Sequence, residues 1–313
     1  MRIARQAALV TTAFVLGAGF GTRLRPLTES EPKPLLPVFQ VPLLTHAFDQ
    51  LLRVGCQRFL VNTHHLADRF AHHFPEAHYR GRPLLFRHEP DILETGGGLA
   101  NIRDLLPPEE SIFVYNGDIL ATLPLAPALA AHQESDYLAT LLLRSQGPAR
   151  HLAYQEGRVT DIRGRVANRP GTHQFTGIYL VRPAFFDLLP DPPEKVSVIE
   201  AFLAALEDRR LGGVVIDEGA WLDLGTREAL LEAHRQPPLA QLPPRIADEA
   251  AIAENVFLDD ATWIGPHAQV GRGASLENCL LWPGAQVAAG ARLRRCIVRS
   301  GKLAEGRQED VDF

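Results

Sequence analysis

The chain has 313 residues and a formal net charge of -5, with 46% hydrophobic and 22% charged residues. That balance suits a globular protein with one large domain and a small one, and it excludes a nucleic-acid binder, which would carry a basic excess. Three widely spaced cysteines, Cys56, Cys279 and Cys296, exclude a disulfide framework or zinc-ligand spacing and fit a reducing, cytoplasmic compartment.

In chain order, MRIARQAALVTTAFVLGAG has early arginines and an apolar run, but Thr11 and Thr12 break the run and it leads straight into glycines. It reads as a short extension before a buried strand, Ala13 to Leu16, rather than a cleaved leader. No apolar run approaches the ~20 residues of a membrane helix. LLTHAFDQLLRVG has helical spacing and stops at Gly55. RFLVN, PLLFRH, SIFVYN and YLATLLL read as strands, with LADRFAHHF and GGLANIRDLL as helices between them. Strands alternating with helices predict βαβ units and a Rossmann-like, mostly parallel α/β sheet that presents ligands at the carboxyl ends of its strands.

Beyond residue 150, HLAYQEGRVTDI predicts a hairpin turning at Glu156-Gly157, followed by the strand HQFTGIYLV, a helix from Val198 to Leu206 and the strand GGVVI. RQPPLAQLPPR is proline-rich. Ile252, Leu258, Ile264, Val270 and Leu276 then recur six residues apart, and after a slip of one the series continues at Leu281, Val287 and Leu293. A hexapeptide period of inward aliphatic residues predicts a short left-handed parallel β-helix of two to three coils, with Cys279 and Cys296 as small buried residues. The chain thus divides into a sheet domain over 1–235, a linker over 236–248 and a β-helix with its tail over 249–313. The exposed coil ends predict self-association, so a homo-oligomer is expected.

Chemistry concentrates in LGAGFGTRLRPLTESEPKP, Leu16 to Pro34. Gly17, Gly19 and Gly21 let the backbone approach a ligand, and successive N–H groups form an anion-binding concavity. Thr22 stands where a dinucleotide fingerprint needs its last glycine, and no Walker lysine follows. Arg23 can clamp phosphate oxygens and Lys33 can supply a point charge, on a segment stiffened by prolines. Lysine is otherwise scarce: only Lys33, Lys195 and Lys302 occur, against 29 arginines. Asp118 in YNGDI and Asp223 in AWLDLGT each follow a strand, and two such carboxylates with phosphate oxygens suit Mg²⁺. Paired histidines at 64–65 and 72–73, and His78, lack acidic or cysteine companions and read as ordinary turn and surface residues.

G-x-G-T-R-L-x-P-L-T followed by P-K-P resembles the signature of the sugar-1-phosphate nucleotidylyltransferases, over about residues 12 to 235 and with the β-helix that many members carry. The resemblance implies an Mg²⁺-dependent transfer from an NTP to a sugar 1-phosphate, giving NDP-sugar and pyrophosphate. It implies nucleotide contacts at Leu16, Gly17, Ala18, Gly19, Gly21, Thr22 and Asn116, catalytic roles for Arg23 and Lys33, and metal ligation by Asp118 and Asp223. LETGGG matches the base-recognition loop, bringing in Glu94, Thr95 and Gly96, with Glu94 in place of the usual glycine. That form resembles N-acetylmuramate 1-phosphate uridylyltransferases, whereas ENCLLWPGAQV in the tail resembles mannose 1-phosphate guanylyltransferases, so base and sugar stay open. FTGIYLV matches the sugar-contacting strand, through Thr176 and Gly177. The family's E-K-P is missing; GRVANRPGTHQ stands there, with Arg165 or Asn168 as substitutes. Two other functions compete: a non-catalytic nucleotide-sugar-binding regulator, and a cytidylyltransferase acting on a phospho-alcohol. His267 in the repeat raises acyl transfer, which needs a longer β-helix.

Overall fold

The computed structural model describes residues 10–313, and the extension expected before Val10 lies outside the described residues. Two compact units divide the chain: one comprises the residues up to Gly19 with His46–Trp221, the other Phe20–Thr45 with Leu222–Phe313.

The first unit is built on a ten-stranded sheet. Across it run Arg150–Gln155, Arg158–Ile162, Leu211–Val215, Ala139–Arg144, His173–Val181, Ile112–Asn116, Thr12–Leu16, Arg58–Thr63, Arg82–His88 and His78–Tyr79. Thr12–Leu16 is parallel to both neighbours, with Val15 opposite Val61 and Tyr115, and Arg58–Thr63 is parallel to Arg82–His88. His173–Val181 runs antiparallel to both neighbours, so the sheet is mixed beyond its parallel half. After Thr12 the first strand is apolar because both faces are covered: Ala13, Phe14 and Val15 are inaccessible to solvent. The hairpin turns at Glu156 and Gly157, both at positive φ (46° and 83°), the geometry that matches strand twist. Phe202, on the helix Val198–Glu207, packs in the core against Phe175, Tyr179 and Phe185.

The second unit contains the parallel β-helix, three sheets of four, four and three short strands. Ala251 pairs with Gln269, Gln269 with Gln286 and Gln286 with Leu303, so successive coils take 18, 17 and 17 residues. The slip in the hexad series is the corner holding Asn278, at φ 50°, and Cys279; Arg295, at φ 52°, and Cys296 repeat it one coil later. Both cysteines point inward and are fully buried. The β-helix continues about one coil beyond the aliphatic series, because Ala304 and Gln308 take the slots below Val287 and Leu293. A small residue and a polar one hide that last coil from a search for aliphatic periodicity.

Candidate active site

The first unit carries one half of the expected site residues. Leu16 ends the central strand, and Gly17, Ala18 and Gly19 follow it. The Gly17 N–H donates to Asn62 Oδ1 (2.7 Å), and the Ala18 N–H reaches the same oxygen at 3.4 Å. Asn62 Nδ2 donates to Glu89 Oε1 (2.7 Å), and Glu89 Oε2 accepts the Leu93 N–H (3.1 Å). Glu89 is wholly inaccessible to solvent, as a carboxylate can be only where donors surround it. This chain of bonds links the glycine loop to Leu93, at the start of the segment expected to recognise the base. Neither Asn62 nor Glu89 stood out in the sequence, where a polar residue at a strand end reads as a cap. The available signal was that both lie at the carboxyl ends of neighbouring parallel strands, Asn62 in the last two residues of one and Glu89 just past the other, the edge where such sheets hold ligands.

The glycines differ in what they do. A Cβ on Gly17 would lie 2.6 Å from the Asn62 carbonyl oxygen, so packing alone requires glycine there. A Cβ on Gly19 would meet nothing within 4 Å. Gly19 has no packing reason to be glycine, which suits a backbone left bare for a ligand.

Glu94, Thr95 and Gly96 form the first turn of the helix Glu94–Ala100 rather than a loop before it. The Gly96 and Gly97 N–H groups donate to the Val196 carbonyl (2.9 and 3.1 Å), and the Thr95 hydroxyl accepts the Val198 N–H (3.0 Å). These groups fix the segment in place. Glu94 sits at φ 60°, which explains why the related pattern has glycine there, and its carboxylate lies 3.8 Å from Lys195 Nζ at the surface.

Asn116 ends the strand Ile112–Asn116, and Asp118 follows it, partly buried. Gly177, at φ 76°, lies against Asn116: an added Cβ would be 2.7 Å from Asn116 Nδ2. Thr176 is turned inward, fully buried, with its hydroxyl donating to the Leu142 carbonyl (2.9 Å) and its own carbonyl accepting the Trp221 indole N–H (2.8 Å). Of the expected sugar-contacting pair, the structure commits the Thr176 hydroxyl to the strand framework. Arg165 is engaged by Glu200 through two bonds (2.7 and 3.1 Å), and Asn168 occupies a turn at φ 51°. Asp161 holds that segment by accepting the N–H groups of Val166, Ala167 and Arg169.

The second unit gathers the charged half. Gly21, at φ 58°, leads into a short turn, Thr22–Leu24, that leaves Thr22 and Arg23 exposed. The Thr28 hydroxyl donates back to the Gly21 carbonyl (3.0 Å). Lys33 begins another short turn and is only 9% exposed, with Nζ 3.8 Å from Asp223 Oδ1. A largely buried ammonium needs a nearby anion, and Asp223, whose side chain is 48% exposed, supplies one while still facing solvent. Gly225 completes the group: its Cβ, if present, would lie 2.7 Å from Arg23 Nη2 and 2.8 Å from Asp223 Oδ1. The bare backbone at Gly225 therefore lets Arg23 and Asp223 converge. Thr226 then caps the helix Arg227–Arg235 by accepting the Ala229 N–H. Two cations beside one accessible carboxylate form a receptor for polyanions, and the carboxylate is a hard oxygen ligand of the kind Mg²⁺ takes. Among the described residues no three His, Cys, Asp or Glu side chains converge as a self-contained metal site.

A family model described as Nucleotidyl transferase matches residues 12–238. The mannose-1-phosphate guanylyltransferase of Mycobacterium tuberculosis is 30% identical over 292 residues, covering 86% of this chain and 79% of the relative. A UTP–glucose-1-phosphate uridylyltransferase of Synechocystis is 25% identical over 296 residues, covering 84% and 76%. The crystal structure of a Bacillus anthracis protein described as a glucose-1-phosphate thymidylyltransferase, in complex with a sucrose, aligns with a TM-score of 0.66 at 20% identity, over 75% of this chain and 98% of that one, and so shares the fold. The signature loop, the sheet that carries it and the family match across most of the length agree: the chain belongs to the nucleotidyl transferase family.

Proposed function

We propose that the protein transfers a nucleotidyl group from an NTP to a sugar 1-phosphate, giving an NDP-sugar and pyrophosphate. The observation that carries this reading is that Arg23 and Lys33, from the family's signature, converge on Asp223, with Gly225 bare beside Arg23 and Asp223. An oxygen of the sugar phosphate bonds to the α-phosphorus, the bond from that phosphorus to the β-phosphate oxygen breaks, and pyrophosphate leaves. The nucleophile is already ionised at neutral pH, so no general base is required. The barrier is repulsion between two anions, and positioning with charge neutralisation lowers it. Arg23 and the N–H groups of the glycine loop bind the triphosphate. Lys33 lies against the α-phosphate and the incoming phosphate. Asp223 would hold Mg²⁺, with Asp118 as the second carboxylate implied by the resemblance, and the ion would supply further neutralisation of phosphate charge.

For base and sugar we favour GTP and mannose 1-phosphate, supported by the Mycobacterium tuberculosis relative and by a Dictyostelium discoideum relative, 29% identical, that bears the same activity in its name. ETGGG and Glu94 favour UTP with N-acetylmuramate 1-phosphate as the second reading. A cytoplasmic location fits three buried free cysteines, and no helix among the described residues is long and apolar enough to cross a membrane. Self-association through the β-helix belongs to the same reading. The deciding experiment is pyrophosphate release with Mg²⁺ across GTP, UTP, CTP, ATP and dTTP, each against mannose, N-acetylmuramate, glucose and N-acetylglucosamine 1-phosphates. Release with one pair identifies the substrates. Nucleotide binding without release from any pair overturns the sugar 1-phosphate reading in favour of a regulator or of a phospho-alcohol acceptor outside the panel.

A further inference from the structure

The cation-bearing loop and the β-helix form one compact unit. The loop has little rigidity of its own: its regular structure is three single-turn segments, Thr22–Leu24, Leu27–Glu29 and Lys33–Leu35, and a two-residue hairpin pairing at Pro37–Val38 and Val41–Pro42. The β-helix reaches it at both ends. Past Lys33, the Gln40 carboxamide lies within hydrogen-bond reach of the carbonyls of Pro244, Arg245 and Ile264 (2.9, 3.1 and 2.9 Å). The Phe39 N–H donates to His234 Nε2 (3.1 Å), and the Trp263 indole N–H donates to the His234 carbonyl (3.0 Å).

Before Lys33, the contact comes from the last coil. Arg299 Nη1 donates to the Pro26 carbonyl (3.0 Å) and lies 3.9 Å from the Glu29 carboxylate, while its Nε–H donates to the Phe313 carbonyl. Its side chain is 13% exposed, so the bonds to the two carbonyls are made by a largely buried guanidinium, while Glu29 keeps 58% of its side chain exposed. The same coil grips Arg227, four residues beyond Asp223: Arg227 donates to Asp312 (2.8 Å), to Asp310 (3.2 Å) and to the Arg295 carbonyl. Pro26 is three residues after Arg23, and Glu29 is four before Lys33. One coil therefore anchors the flanks of all three members of the charged cluster.

We propose that the last coil of the β-helix is a brace for phosphate chemistry, and that Arg299 is its positioning residue, holding Arg23 and Lys33 in register through Pro26 and Glu29. The inference rests on the nucleotidyl-transfer reading above. Displacing a reacting group by ~1 Å costs on the order of 10²-fold in rate. Gln40 still ties the other end of the loop, so Arg299→Met should lower kcat/KM by about 10- to 100-fold. Arg299→Lys should lower it less. Arg272→Met is the control: it removes an exposed arginine of the same β-helix, paired with Glu254 at 3.9 Å, and should leave kinetics unchanged.

The decisive readout is a double-mutant cycle with Lys33→Met. A brace acts only through the cations it positions, so with Lys33 removed Arg299→Met should add a smaller loss, the part carried by Arg23, whereas general destabilisation would add its full effect. Parent kinetics in both Arg299 variants, or an undiminished loss in the Lys33→Met background, overturns the proposal. If Arg299→Met does not fold, the same cycle with Arg299→Lys decides it. If the parent protein releases no pyrophosphate from any substrate pair, the reading of the reaction fails separately. GTP and UTP titrations by calorimetry then judge the brace: weaker nucleotide binding in Arg299→Lys supports it, and unchanged binding overturns it.

Discussion

Replacing Asn62 by aspartate changes one atom of the side chain and should turn a pH-insensitive anchor into a pH-sensitive one. Asn62 Oδ1 accepts the Gly17 N–H at 2.7 Å, and aspartate keeps that acceptor. Its amide nitrogen donates to Glu89 at 2.7 Å, and aspartate puts a second carboxylate oxygen there. Neither residue has solvent to screen it: Asn62 is 1% exposed and Glu89 0%. Two carboxylates at that distance cannot both ionise, so one holds a proton and its pKa rises far above the usual carboxylate range. The sign follows: between the unfolded and the raised folded pKa the native state binds more protons, so stability falls as pH rises and is greatest in mild acid. Each unit of upward shift is worth about 1.4 kcal/mol, and the loss begins near the unfolded carboxylate pKa of about 4, so a rise of two to three units removes about 1.5 to 2.5 kcal/mol between pH 5 and pH 8. Urea denaturation of parent and variant from pH 5 to 8, with GTP affinity at each pH, measures it. Asn62→Leu, which strands both partners, should lose about 2 to 5 kcal/mol with no such pH slope. An aspartate variant whose stability tracks the parent across that range would refute the buried Asn62–Glu89 link.

Gly17→Ala should destabilise the fold, since its Cβ would meet a carbonyl oxygen at 2.6 Å, whereas Gly19→Ala should leave the melting temperature unchanged and weaken GTP binding; a Gly19 variant with parent affinity removes the loop from the nucleotide site. Asp223→Asn should keep the fold and lose about 10²- to 10³-fold in turnover, and Lys33→Arg should lose a comparable factor because a planar fork cannot replace a compact ammonium beside Asp223; pyrophosphate-release kinetics check both. His132 is buried between Thr140 and Ser111, and burial, with the Arg182 cation adding, pushes its pKa down from 6.5 to about 3. The unfolded chain binds the extra proton between those values, so the parent should lose stability as pH falls below 6.5, by up to about 5 kcal/mol, and His132→Gln should flatten that slope in acid denaturation.

The sequence reads well where one residue type does one job locally. The strand before the glycine loop is apolar because both faces are buried, and the Glu156-Gly157 turn announces itself by composition. It reads poorly where function depends on long-range pairing. Asn62 lies 45 residues from Gly17 and 27 from Glu89, so its role exists only once parallel strands bring their ends together. Thr176 and Gly177 are adjacent in a matched motif, yet strand alternation buries the Thr176 hydroxyl against Leu142 while Gly177 abuts Asn116. Glu94 shows the opposite gain, since its departure from the related pattern gains a physical meaning only from its φ of 60°.

A reaction whose nucleophile arrives ionised leaves its enzyme little to do at the level of proton transfer. Selection then falls on where charges stand rather than on what they exchange, and the supporting bonds become as consequential as the cations. In this chain the supports come from different places. Asn62 and Glu89 fix the start of the glycine loop within the sheet unit, while Arg299 and Gln40 tie the cation-bearing segment, and Arg227 the flank of Asp223, within the β-helix unit. A short β-helix with a modest core is then no mere appendage: truncating it would remove the partners of Arg227 and the bond to Pro26 together. Activity should therefore fall with loss of the last coil before the sheet unit loses its fold, an order that differential scanning calorimetry and pyrophosphate release on coil-by-coil truncations can resolve. Full activity after deletion of residues 299–313 would show that the charged cluster holds its geometry unaided.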